Sequence, residues 1–209
     1  MTFDDIKNQK NIYLYLGDYV NTVRFNNIPF IGISIRKNDS RHIKHNIINP
    51  FPLQTNSVDI IQSEDVIEHL KYSDVLNHIN EMYRILKPDG LFRLSMPDYR
   101  CDILINRSQK DKTGNIIFDP AAGGHYDKNL KEVIGKGHKW FPTYEVILDL
   151  FQKSYFPKNK INFLHYYTNT EQITNQIDYS KGYIQRTPDN DKRVQDPYRP
   201  LSIVIDAYK

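Results

Sequence analysis

The chain has 209 residues, 39% of them hydrophobic and 25% charged, with 28 Lys and Arg against 25 Asp and Glu. That size and mixture suit a single domain spanning residues 1–209, large enough to bury a core. A formal charge of +3 is too small and too dispersed to argue for a nucleic-acid partner, and the lone Cys101 excludes an internal disulfide and a cysteine-built zinc cluster. No run approaches the ~18 apolar residues that span a bilayer. The opening "MTFDDIKNQK" lacks the basic, apolar and small-residue progression of a secretory signal, so a soluble cytoplasmic protein is expected.

The first element is "NIYLYLGDYVN" (11–21), an apolar and aromatic run that breaks on Gly17, as a buried strand ending in a turn does. "PFIGISI" (29–35), "RHIKHNI" (41–47) and "SVDIIQS" (57–63) read as three further strands. The period then changes. Val75, Leu76, Ile79, Met82, Tyr83 and Leu86 recur at helical spacing, with Ser73 or Asp74 placed to cap, and "KPDG" stops the helix. "LFRLSMP" (91–97) is a fifth strand. A second helix is expected over "TYEVILDLFQKS" (143–154), capped by Thr143, with Tyr144, Ile147, Leu148 and Phe151 on one face. "INFLHYY" and "LSIVIDAY" supply two late strands. Strands alternating with helices predict an α/β, mostly parallel sheet with helices on both faces. Residues 99–142 and 168–200 fit the alternation poorly, and loops of that length are expected on the substrate side or as a cap.

The segment from Asn56 to Tyr99 carries a family likeness. Asp59, Ser63, Glu68-His69, Arg84, Leu86-Lys87-Pro88 and Gly90, in that order and followed by a strand, resemble the central block of class I S-adenosylmethionine-dependent methyltransferases of the type-11 branch. The likeness extends more weakly over "HIKHNIINPFPLQTNSVD", "GHKWFPTYEVILDLFQKSYF" and the terminal "RPLSIVIDAYK". It implies a Rossmann-like, seven-stranded sheet with an antiparallel last strand, and S-adenosylmethionine as cofactor with S-adenosylhomocysteine as product. Within the branch the chain looks closest to small methyltransferases of bacterial and large-virus surface-glycan pathways, which implies a sugar hydroxyl on a glycan or nucleotide-sugar as acceptor. Glycosyltransferases that hold the carrier are the protein partners this implies.

The resemblance places the cofactor against Gly17 and Asp18, Ser34 and Ile35, Asn46 and Ile47, and Ser63, Glu64 and Asp65. The chain departs from the family in two respects. Further glycines are missing over Asp18 to Asn21, and Ser34 and Asn46 stand where acids usually meet the ribose and the adenine amine. Charge-assisted hydrogen bonds are roughly twice as strong as neutral ones, so two such losses cost about 1–3 kcal/mol. Weak cofactor binding is therefore expected unless Asp18, Asp39 or Glu64 supplies a carboxylate.

Methyl transfer to a hydroxyl is an in-line displacement in which the protein aligns the oxygen and removes its proton. Histidine suits that role because its pKa lies near neutrality. His69, after the fourth strand, is the first candidate base. Asp98 in "MPDY" and His138 in "GKGHKW" follow, with Trp140 placed to stack on a pyranose and His125 ranked lower. These groups are of a kind that holds a divalent ion, but no tight ligand spacing supports a metal, and none is assigned. Cys101 reads as a bystander. Two other readings stay open: a methyltransferase-like binding or scaffold domain that has lost catalysis, and a methyltransferase for another small molecule, protein or nucleic acid. "SEDV" stands where amino-methylating enzymes carry their proline-rich signature, which argues against base methylation.

Overall fold

The computed structural model describes residues 1–18, 28–184 and 192–209. In chain order the elements are β1 Tyr13–Leu16, β2 Ile31–Ser34, β3 His42–Lys44, β4 Val58–Glu64, α1 Tyr72–Ile85 and β5 Leu86–Pro97. There follow α2 Asp102–Arg107, β6 Gln109–Lys110, β7 Ile116–Phe118, β8 His125–Asp127, β9 Glu132–Ile134 and α3 Tyr144–Lys153. β10 Ile161–Tyr167, β11 Gln172–Thr174 and β12 Ser202–Tyr208 complete the chain. Among the described residues, eight strands form one sheet in the order β11-β10-β12-β5-β4-β1-β2-β3. β1 to β5 pair in parallel, and β12 runs antiparallel between β5 and β10. This is the mostly parallel, Rossmann-like sheet expected, with the antiparallel last strand. The short β11 adds an eighth strand at one edge. No helix among the described residues is long and apolar enough to cross a membrane.

Period-two alternation divides the sheet into two unlike faces. Leu14, Leu16, Ile61, Phe92, Leu94, Met96, Ile203 and Ile205 point to the face covered by α1 and α3. α1 buries Val75, Ile79, Met82 and Ile85 there, each fully, a burial of about 1.5–3 kcal/mol per side chain relative to exposure. α1 starts at Tyr72, so Lys71 holds the N-cap position and neither Ser73 nor Asp74 caps it. It ends at Ile85, since Leu86 is already extended and Pro88 cannot continue the helical ladder. On α3, Ile147, Leu150 and Phe151 are buried, and Tyr144 stacks on Tyr166 with centroids 4.2 Å apart.

The other face carries Tyr13, Tyr15 and Ile60, together with the buried polar residues Gln62, Glu64, Arg93, Ser95 and Asp206. The segment Ile177–Ile184 crosses it. Arg93, with no exposed surface, forms a bidentate pair with Asp206 at 2.7 and 2.6 Å and donates to the carbonyls of Asp178 and Gly182. Gln62 donates to Glu64 and to the Tyr183 carbonyl. Arg93 and Gln62 thus tie the strap to the sheet through its carbonyls, as burial of those polar groups requires.

Candidate active site

The chain leaves β1, adds β2 and β3 on one side, then crosses back to build β4 on the other side of β1. Ligands of such sheets bind outside the carboxyl ends of the strands where the order reverses, here between β1 and β4. Gly17 sits at that point with φ 116°, a conformation that L side chains rarely adopt, and its N–H donates to the Ile33 carbonyl. A Cβ added there would lie 3.5 Å from Val66 Cγ2, which puts the end of β1 against the turn after β4. Asp65 in that turn also has positive φ, 51°, while its N–H donates to the Ser95 carbonyl. Ser63 is fully buried at the end of β4, and Glu64, also buried, faces Gln62.

At the end of β2 a serine meets a carboxylate. Ser34 Oγ accepts the N–H groups of Arg36 and Lys37 and donates to Asp18 Oδ1 at 2.5 Å. Asp18 thus sets a carboxylate beside Ser34, with its other oxygen paired to Arg36 at 2.8 Å. Burial opposes its ionisation, but the Ser34 hydroxyl and the Arg36 and Lys37 charges outweigh burial and hold its pKa below the ordinary value. Asp39 is used elsewhere, before β3, accepting from His42 Nδ1 and the Arg41 N–H. Ile35 is exposed beside the rim. Asn46 is exposed two residues past β3 and accepts the Ile48 N–H. Ile47 instead joins the core, and its carbonyl accepts from His78. Tyr19, Val20 and Asn21, the rest of the thinned glycine loop, lie outside the described residues.

A tight cluster follows β4. The 3-10 turn Ile67–His69 carries Glu68, fully buried, and His69, whose side chain is 37% exposed. His138 arrives from a distant loop, anchored by the Lys139 N–H on the Glu68 carbonyl (2.7 Å) and Trp140 Nε1 on the Ile67 carbonyl (3.2 Å). The two imidazole centroids are 4.8 Å apart, edge to face. Glu68 Oε1 lies 3.6 Å from His138 Nε2 and 4.0 Å from His69 Nε2. Behind them, Tyr99 OH donates to Asp119 Oδ2 at 2.8 Å and stands 2.6 Å from His138 Nδ1. Arg107 in turn pairs with Asp119. Burial and the neighbouring His69 push the His138 pKa down to about 4, so it is neutral at pH 7. Burial, reinforced by the bond to Asp119, raises Tyr99 and keeps its proton in place.

The loop bearing His138 approaches so closely that only glycine fits: a Cβ on Gly137 would come within 2.2 Å of the Gly123 carbonyl oxygen. That contact locks it to the β8–β9 hairpin. Residues 99–142 thus contain α2 and two hairpins, β6–β7 and β8–β9. A cavity of about 590 Å³ lies among these elements themselves, lined in part by Tyr99, Ile116, Tyr126, Lys131, Lys139 and Trp140, and beside rather than around the Glu68, His69 and His138 cluster. Trp140 is mostly buried, at 8% exposure, and meets Tyr72 edge to face with centroids 5.3 Å apart. His125 lies exposed at the start of β8, outside the cluster. Cys101 packs in an apolar cluster with Leu104, Val194 and Leu201.

Asp98 is placed differently from the histidines. It is fully buried, and its two oxygens accept the N–H groups of Arg100 and Tyr167, pinning the ends of β5 and β10. Burial raises its pKa to about 6 against the effect of those two bonds. The Asn56–Tyr99 block divides in the same way. Asp59 accepts from Lys87 and the Ile12 N–H, while Arg84 grips Glu81 and the carbonyls of Phe51 and Leu53. Those residues fasten the scaffold, whereas Glu68-His69 carry side chains into the cluster. Glu68 itself, Tyr99 and Asp119 were absent from the expected site. The "EH" pair and the Tyr following Asp98 were the only signals for the first two, and nothing local marked Asp119.

Residues 29–94, from the approach to β2 through most of β5, match the methyltransferase domain family. A search of curated proteins gives no match. Solved structures similar to the chain include a SAM-dependent methyltransferase from Methanosarcina mazei, with TM-score 0.53, 13% identity and coverage of 99% of this chain and 96% of that one. Another, from Archaeoglobus fulgidus, gives TM-score 0.52 and 14% identity over 99% and 89%. A third, from Thermotoga maritima, gives 0.51 and 17% over 95% and 82%. The fold is therefore that of these S-adenosylmethionine-dependent methyltransferases.

Proposed function

We propose that the chain transfers the methyl group of S-adenosylmethionine to a hydroxyl of a small polar acceptor, a sugar on a glycan or nucleotide-sugar. The cofactor lies across the β1–β4 rim, against Gly17 and the Ser63–Asp65 turn, with the Asp18–Ser34 pair on its ribose. Asn46 flanks its adenine. The acceptor enters at the cavity within residues 99–143, which combines aromatic walls with Lys131 and Lys139, a mixture suited to a pyranose bearing an anionic group.

The observation that carries this reading is the cluster of Glu68, His69 and His138 on the turn that leaves β4. In the transfer the acceptor oxygen bonds to the methyl carbon as the carbon–sulfur bond breaks, leaving S-adenosylhomocysteine as a neutral thioether. The hydroxyl proton is lost at the cluster, where His69 is the member that reaches solvent and meets the acceptor. Asp98 acts on the fold of that rim, through its two backbone partners. Incubation with S-adenosylmethionine carrying a tritiated methyl, against a panel of sugars, nucleotide-sugars and small amines, tests the proposal. Label in hydroxyl ethers of a sugar is expected, with at least a hundredfold loss in His69→Ala. Label only in amines, or none with any acceptor, would overturn it.

A further inference from the structure

We propose that Glu68, His69 and His138 form a binding site for one divalent transition-metal ion of the zinc type. This rests on the reading above, because the ion would stand where the acceptor oxygen is handled. The three donor atoms all lie within 4.8 Å of one another. Donors around a tetrahedral ion with bonds near 2.0 Å sit about 3.3 Å apart, so Glu68 Oε1 and His138 Nε2, at 3.6 Å, are close to that spacing. His69 Nε2, 4.0 Å from Glu68 Oε1 in a set that spreads to 4.8 Å, must draw inward to close around an ion.

The outer hydrogen bonds aim these atoms at a common point. His69 Nδ1 lies 3.2 Å from the Gly137 carbonyl, which only accepts, so Nδ1 carries the proton and Nε2 presents its lone pair inward. Tyr99 spends its own proton on Asp119, so its oxygen accepts from His138 Nδ1, and again Nε2 faces Glu68. Each histidine is thus oriented by a second partner, a carbonyl for one and a Tyr–Asp relay for the other, as metal-bound imidazoles are. Two imidazoles and one carboxylate suit zinc-like ions, whereas magnesium and calcium demand oxygen donors. Three protein ligands leave a coordination position open, on the side where His69 reaches solvent.

An acceptor hydroxyl in that position would have its pKa lowered by the ion and release its proton to solvent, leaving the oxygen lone pair to attack the methyl carbon. With the ion bound, His69 serves as a ligand. Tyr99 is a positioning residue that acts through His138.

The purified full chain, stripped with a chelator, is titrated with cobalt(II) and followed by visible absorption, with zinc calorimetry in parallel. One equivalent of cobalt with tetrahedral bands, displaced by zinc and indifferent to millimolar magnesium, is the expected result. His69→Ala and Glu68→Gln should weaken binding more than tenfold, and Tyr99→Phe about tenfold, with His125→Ala unchanged. Circular dichroism checks that each variant folds, and the half-exposed His69 is the substitution least disruptive to the core. Absence of stoichiometric cobalt bands would overturn the site, as would equal affinity in His69→Ala. S-adenosylhomocysteine binding measured on the same samples separates the two readings: its retention without ion binding defeats only the metal site, and its loss with ion binding intact defeats the cofactor reading.

Discussion

The two faces of the sheet are held by different physics. On the α1–α3 face, Phe92, Leu94, Phe151 and their neighbours form an apolar interlock with little exposed surface. On the opposite face an irregular strap is fixed by Arg93, Asp206 and Gln62, all nearly or fully buried. Apolar packing tolerates the loss of one contact in proportion to the cavity left. A buried ion pair instead fails sharply when one partner goes, although replacing both can be nearly neutral. The polar face therefore adds less stability for its size, but it fixes where the Ile177–Ile184 strap must lie.

Thermal and urea unfolding of single and paired variants would break that contrast or sharpen it. Asp206→Ala, which strands the Arg93 charge with no exposed surface, is expected to cost about 3–5 kcal/mol. Joint replacement, Arg93→Met with Asp206→Leu, should recover most of that loss. Phe151→Ala is expected to cost about 3–5 kcal/mol, and no second substitution across the core should recover it. If the double variant at Arg93 and Asp206 is no better than the single one, the contrast between faces fails.

The next effect is a pH dependence with contributions of opposite sign. Asp98 keeps its proton in the fold to about pH 6, above its unfolded value, so the native state binds more protons between roughly pH 4 and 6 and loses stability as pH rises through that window. A carboxyl raised from 3.8 to about 6 contributes about 3 kcal/mol at the acid end of the window. Buried His78, with its pKa lowered by desolvation to about 4, binds fewer protons when folded, so its contribution is present near pH 7 and fades as pH falls toward 4. Unfolding free energies measured across pH 4–7 should therefore rise more steeply with pH in Asp98→Asn than in wild type, and less steeply in His78→Leu. Parallel curves for all three would contradict both assignments.

A smaller effect is expected at Gly137. Gly137→Ala forces a Cβ against the Gly123 carbonyl, at a cost of about 1–3 kcal/mol, and should depress methyl transfer more than stability by displacing His138.

The same contrast explains what could be read in advance. Strands such as β4 and β12 and helices α1 and α3 announce themselves because apolar residues recur at period two or 3.6, and that signal is local. The strap and the β6–β9 hairpins have no such period, since their stability comes from backbone carbonyls meeting Arg93 and glycines meeting glycines far along the chain. At the site, His69 and His138 were recognisable as residue types, but not that Glu68 would join them. Glu68 stands beside His69 in the sequence, but its meeting with His138, far along the chain, leaves no spacing there. The Asp18–Ser34 bond is likewise a product of β1 lying beside β2. Leu148, expected on the buried face of α3, gives way to Leu150 because the helix presents its apolar stripe to α1 and β10 together.

The central claim is that the β1–β4 rim takes S-adenosylmethionine with Asp18 supplying the carboxylate that β2 lacks. Calorimetry of S-adenosylhomocysteine with the wild-type chain and with Asp18→Ala tests it most directly. One site per chain is expected, weakened about tenfold in the variant, which corresponds to about 1.4 kcal/mol. No binding at millimolar ligand, or equal affinity in the two proteins, would contradict it.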